Sequence, residues 1–209
     1  MTTPTPSRAM APARKKLLDT ALTVIREKGY GAATVDELCQ RAGTAKGSFF
    51  HHFADKQALG VAAVAYWSET TGAFFEDAPY HRHKDPLDRI MGYIEFRRAL
   101  LAGDAATFSC VAGTMVQETY RTHPALRAAC GASIAGHART LEADIEAAMK
   151  ARGIRGDWTA KGLALHMQAV LQGAFVVAKA TDGAQIAVCS VDHLRRYIEL
   201  LFAKRRRKA

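Results

Sequence analysis

A chain of 209 residues with 49% hydrophobic content is too apolar for wholesale disorder and long enough for a small unit joined to one modest core-bearing domain. Its net charge of +9 favours a polyanionic partner, either nucleic acid or an acidic membrane. No uninterrupted apolar run approaches the roughly 18 residues of a membrane span, and the start, MTTPTPSRAMAPARKK, lacks the apolar centre of a signal peptide, so no membrane partner is expected.

The chain divides into four stretches. Residues 1–13 read as a flexible arm, 14–59 as a compact helical head, 60–203 as a larger helical domain and 204–209 as a basic tail. In the head, Leu18, Ala21, Leu22 and Ile25 recur at helical spacing, and Gly29 stands where that helix should end, after Lys28. Thr34 to Glu37 reads as a capping box: the Thr34 hydroxyl accepts from the residue 37 N–H, and Glu37 reaches back to the residue 34 N–H. A second helix, VDELCQRA, turns Leu38, Cys39 and Ala42 inward. Gly43 supplies a left-handed turn. A third helix, starting near Ala45, is anchored by Phe49 and Phe53, four residues apart, and so exposes Lys46, Ser48, His51 and His52. Asp55 caps a fourth helix, with Lys56 in its first turn. Three short helices around a glycine turn form a helix-turn-helix unit, whose second member braces the DNA backbone while its third enters the major groove.

The fourth helix continues to about residue 77 with Tyr66, Trp67, Phe74 and Phe75. Pro79 to Pro86 reads as a loop. Residues 87–102 set Leu87, Ile90, Met91, Ile94 and Leu101 on one face, and Gly103-Asp104 breaks that helix. Residues 109–121 form a short apolar helix. His123-Pro124 opens a long one to about Arg152, with Leu126, Cys130, Ile134, Leu141 and Ile145 inward. Gly153 and Gly156 bracket the next loop. Leu163, Met167, Val170, Leu171, Ala174 and Phe175 mark a further helix; Leu194, Tyr197, Ile198 and Leu201 mark the last. The fold class is therefore all-α, a three-helix head plus a larger helical domain.

At GTAKGSFFHHFADKQAL, residues 43–59, the sequence resembles the DNA-binding signature of the TetR family of repressors, and the likeness is strong over residues 14–59. It departs in two places: Ala45 stands where a small polar cap is usual, and Phe50 where a tyrosine is common. The resemblance implies a homodimer joined through the last two helices, a small-molecule effector held inside the larger domain, and repression relieved when that effector binds. Residues 163–178 add independent support for pairing, because they are apolar on more than one face and carry the small residues Gly173, Ala174 and Ala178. Two paired heads read two half-sites of an operator together.

For double-stranded operator DNA, Lys46 and Ser48 are candidates for base edges, Gly47 for close backbone approach and Phe50 for a thymine methyl or sugar. Thr34, Thr44, His52 and Lys56 suit phosphates, with His51 on the same exposed face. His51 and His52 are adjacent, about 100° apart on a helix, so no metal site is expected. For the effector pocket the candidates are apolar: Trp67, Phe74, Met91, Ile94 and Phe96, then Met115, Met167, Leu171 and Phe175. Cys110, Gln117, His137 and Gln168 are the polar or reactive additions. Cys110 opens a helix whose N–H groups favour a thiolate, which offers a route to electrophile sensing beside the ordinary fate of an inert core thiol.

Cys39, Cys110, Cys130 and Cys189 show no CxxC or metal-finger spacing, consistent with reduced thiols in a cytoplasm. No enzyme, metal or cofactor is expected. The sequence has no GxSxG elbow, HExxH pair or phosphate-cradling glycine loop, and Asp144 and Glu146 face different ways on a helix. The terminal run KRRRK, residues 204–208, reads as a solvated tail.

Overall fold

The computed structural model describes residues 10–181 and 183–203; the expected basic tail and most of the expected arm lie outside them. Ten α-helices account for the architecture among the described residues: α1 Pro12–Ala32, α2 Val35–Ala42, α3 Lys46–His52, α4 Lys56–Glu76, α5 Pro86–Ala99, α6 Ala105–Phe108, α7 Val111–Thr119, α8 Pro124–Ala151, α9 Ala160–Thr181 and α10 Ala184–Phe202. The fold is all-α, with an N-terminal helix-turn-helix head and a C-terminal helical domain. Two details of the loops differ from the sequence reading. Pro79–Arg82 forms a turn of 3₁₀ helix, and α6 is an extra helical turn started by Asp104, whose carboxylate accepts from the Ala106 N–H at 2.7 Å.

The head folds around Phe49, which is fully buried among Leu17, Leu18, Leu38 and Phe53. Burying such a ring contributes roughly 1.5–3 kcal/mol. The same core continues across Val111, Ala112, Met115, Leu126 and Cys130, so α7 and the start of α8 belong to it. α4 crosses the expected boundary at residues 59–60 without a break. A second core holds Ile90, Tyr93 and Ile94 of α5, Leu141 and Ile145 of α8, and the inner faces of α9 and α10.

Two local expectations are corrected. Gly29 does not end α1. It breaks the helix at φ 88° and ψ 166°, after which the chain makes one more turn to Ala32. The capping box is half made: Thr34 Oγ1 accepts from Glu37 N at 3.2 Å, but the Glu37 carboxylate is drawn to Lys28 and lies 3.9 Å from Arg41. Two opposite charges outcompete a single backbone N–H.

α9 is long and apolar enough to cross a bilayer, with a mean hydropathy of 1.3 over its best window. It instead packs between α8 and α10, and Gln168 and other polar residues interrupt it, so it serves as a core helix. Within it Ala174 and Ala178 are buried in their own protomer's core, contrary to their expected place at a dimer contact. Gly173 is the small residue that faces outward, with open space where a Cβ would stand.

Candidate DNA interface and effector cavity

The head presents α3 on its outer side. Its backbone is positioned by the turn: Gly43 adopts φ 61°, and its N–H and that of Thr44 close the end of α2 on Gln40 and Cys39 carbonyls. With Phe49 turned inward, Lys46, Gly47, Phe50 and His51 are exposed, Phe50 to 52%, while Ser48, Thr44 and His52 are half-buried. No neighbour crowds Gly47. Ala45 makes no side-chain cap, so the first N–H groups of α3 are without one. Lys46 Nζ pairs with the Asp36 carboxylate at 2.8 Å, which raises the lysine's pKa through hydrogen bonding and charge. Among the described residues Thr44 Oγ1, a buried atom, has no hydrogen-bond partner. Thr34 is exposed at the start of α2.

Lys56 lies elsewhere than open solvent. Its ammonium donates to the Gly31 carbonyl at 3.1 Å and sits 4.5 Å over the Tyr30 ring, and partial burial lowers its pKa. It is held at the junction where Glu118 of α7 accepts from Tyr30 N and Gly31 N, at 3.1 and 2.6 Å.

The larger domain encloses a cavity of about 230 Å³ between α4, α5, α8 and α9. Of the residues singled out by sequence, Trp67, Phe74, Cys110, His137, Gln168 and Phe175 line it. Phe74 is 49% exposed and stands at its mouth. The others do not. Ile94, Met167 and Leu171 are fully buried packing in the second core, Met115 in the first, and Met91 and Phe96 pack against the second from outside. Gln117 donates to the Gly113 carbonyl and faces an adjoining surface groove, which shares Cys110, Gln172 and Phe175 with the cavity. The periodicity that finds an inward face does not say which inward residues meet each other and which meet a void.

The cavity also has walls that sequence reading missed, among them Thr71, Phe75, Arg97, Phe108 and Gln172. Thr71 and Gln172 each follow a recognised residue by four, a spacing that could have found them. Arg97 reads in sequence as an ordinary basic residue of a helix's last turn.

The polar groups of the cavity are ordered. Gln168 donates to Tyr93 Oη at 3.1 Å, and Tyr93 Oη lies 3.0 Å from His137 Nε2. Burial first, and Arg97 second, push the His137 pKa down to about 4, so the imidazole is neutral near pH 7. Gln168, Tyr93 and His137 thus form one hydrogen-bonded chain, in which Tyr93 Oη accepts from Gln168 and shares with His137 Nε2 a bond whose donor depends on the histidine tautomer. Cys110 caps α7, its thiol accepting from Gly113 N at 3.4 Å. Burial raises the pKa of nearby Cys130 to about 11.

Comparison with known proteins bears on both regions. The family model for bacterial regulatory proteins of the tetR family matches residues 17–63, and the tetracyclin repressor-like C-terminal domain matches residues 86–194. The chain belongs to the TetR family. A TetR-family regulator from Chloroflexus aurantiacus has the same fold, with a TM-score of 0.76 at 26% identity, covering 89% of this chain and 93% of that one. A TetR-family regulator from Agrobacterium tumefaciens, at 22% identity, superposes with a TM-score of 0.77 over 90% of this chain and 98% of its own. The HTH-type transcriptional repressor Rv1474c of Mycobacterium tuberculosis is 46% identical over 64 residues, 31% of this chain and 34% of that protein. The transcriptional regulator AcuR of Cereibacter sphaeroides is 27% identical over 106 residues, 51% of this chain and 48% of that one. The chain thus spans less than half the length of each of these two relatives. The TetR head accounts for α1 to α3 and the first turns of α4; the second match runs from α5 into α10.

Proposed function

We propose that this protein is a homodimeric, cytoplasmic transcriptional repressor that binds operator DNA through α3 and is released when a small molecule fills the cavity of the larger domain. The observation that carries the reading is the division of α3. Phe49 is wholly buried, while Lys46, Gly47, Phe50 and His51 form one open face on a basic chain. Lys46 and Ser48 are assigned to base edges, Gly47 and Phe50 to close contact with the groove, and Thr34, Thr44, His51 and His52 to the flanking backbone. Lys56 donates one N–H to the Gly31 carbonyl and keeps two donors for a phosphate. Pairing is supported by the outward stripe Leu165, Gly173, Val176 and Val177 on α9, joined by Ile186, Tyr197 and Leu200 on α10.

Release requires a ligand that binds the DNA-free arrangement better than the DNA-bound one. The cavity abuts α4, which runs unbroken from the head, so a filled cavity has a rigid element to act on. A gel shift with duplex DNA flanking the protein's own gene tests the reading. Wild type should retard a specific fragment and Lys46→Ala should not; no retardation of any fragment by wild type would overturn it. Running wild type and Cys110→Ser against an electrophile panel in the same assay separates covalent from reversible release.

A further inference from the structure

The cavity wall carries one formal charge. Among its lining residues Arg97 alone is ionised near pH 7; the others are apolar, hydroxyl, amide or thiol groups and the neutral His137. Arg97 is held, not loose: its guanidinium carbon lies 5.1 Å from the Phe75 ring centre and 5.6 Å from that of Phe175. Both rings also line the cavity. The next residue, Arg98, turns outward and pairs with Asp192 at 2.7 Å. Arg97 has no such acid among the described residues, and no hydrogen bond from its guanidinium is formed among them. An arginine fixed by two aromatic faces, with its N–H fork uncommitted beside an apolar void, is a site built for a planar anion.

We propose that the effector is a small organic carboxylate on a flat apolar body, its charge docked on Arg97 and its body against Trp67, Phe74, Phe108 and Phe175. The inference rests on the cavity being the effector site. A cationic ligand would meet Arg97 with no acid to offset the repulsion. A neutral ligand would fill the apolar walls and offer the guanidinium at most an uncharged acceptor, without charge assistance. Gln168 gives its amide nitrogen to Tyr93 Oη, and no hydrogen bond joins it to Arg97 among the described residues. Arg26 adds to the positive surroundings, stacked 5.4 Å from the Trp67 ring centre and donating to the Thr107 carbonyl at 2.8 Å.

Calorimetric titration of the full-length protein with 1-naphthoate, 1-naphthamide and 1-naphthylmethylamine tests this. The three probes share a body and differ in charge. Wild type should bind naphthoate at least about tenfold more tightly than naphthamide and the amine most weakly, the gain expected of a charge-assisted fork. Arg97→Gln should bring naphthoate down to the affinity of naphthamide while changing naphthamide less than about twofold. The wild-type comparison needs no variant, so a misfolded Arg97→Gln leaves the test intact. Naphthamide binding as tightly as naphthoate, or naphthoate binding unchanged in a folded Arg97→Gln, would overturn the charge assignment and leave the cavity reading standing. Failure of all three probes to bind would remove the cavity reading and this inference together.

Discussion

Glu118 Oε2 accepts from the Gly31 N–H at 2.6 Å, joining α7 of the larger domain to the broken end of α1 in the head. The second oxygen takes the Tyr30 N–H. Both N–H groups follow the break at Gly29, where the helix ladder lapses and a partner must come from outside. The carboxylate therefore acts as a cap supplied across the boundary between the two parts. Gly29 makes room for it: a Cβ there would stand 2.1 Å from Glu118 Oε1, and φ 88° with ψ 166° is a region that only glycine occupies readily.

Gly29→Ala should be the most damaging small substitution in the head. The backbone strain costs roughly 1–3 kcal/mol, and displacing Glu118 removes its hydrogen bonds at about 1 kcal/mol more. In a Glu118→Ala background the same change should cost only the strain. Urea unfolding of the four proteins checks the cycle; purely additive losses would show that the two residues are not coupled.

Asp36→Ala should strengthen binding to duplex DNA of any sequence. It frees Lys46 from its 2.8 Å partner and removes a negative charge beside the proposed groove face. The pair is well exposed, so thermal stability should not change measurably. Lys46→Ala should weaken operator binding more than binding to unrelated duplex, as loss of a base-edge contact does. Fluorescence anisotropy with labelled operator and unrelated duplex reads both.

Gly173→Arg should give a folded monomer that no longer binds operator. The position faces open space in one protomer, so the side chain fits the isolated chain, and a buried unpaired charge would oppose pairing by several kcal/mol. Ala174→Arg would be uninformative, because Ala174 is buried in its own core. Sedimentation velocity decides; a dimeric Gly173→Arg protein would place the interface elsewhere.

His137 should make the protein acid-sensitive. Its folded pKa, about 4, lies below the ordinary value of 6.5, so the unfolded chain binds the proton more readily. The neutral form's stability is fully present above pH 6.5 and is lost as pH falls from there to about 4. Allowing for solvent at the cavity mouth, that loss should be about 1–3 kcal/mol. His137→Gln should remove this part of the acid sensitivity. Unfolding free energies of both proteins between pH 7 and 4 test it, and parallel curves would exclude His137 as the cause.

The head was legible in sequence because its signals are local. A hydroxyl at Thr34, a left-handed glycine at Gly43, Phe49 and Phe53 one turn apart and a carboxylate at Asp55 each act within a few residues, so spacing alone orders the helices. Asp55 indeed accepts from Ala58 N at 2.7 Å, as its position implies. The apolar faces of α5, α8, α9 and α10 were legible for the same reason, since helical period marks an inward side. What faces what across the interior was not. Met167 and Gln168 are neighbours in α9, yet one is sealed in packing and the other looks into the cavity. Arg97 and Arg98 are also neighbours, and one turns to two aromatic rings while the other meets Asp192. Glu118 reaches Gly31 across 87 positions of chain. These pairings depend on helices brought together from distant sequence, where side chains choose partners by packing and charge. Residue type and period determined that helices form and which way they face; only the tertiary structure decided where the interior stays open and which charge borders it.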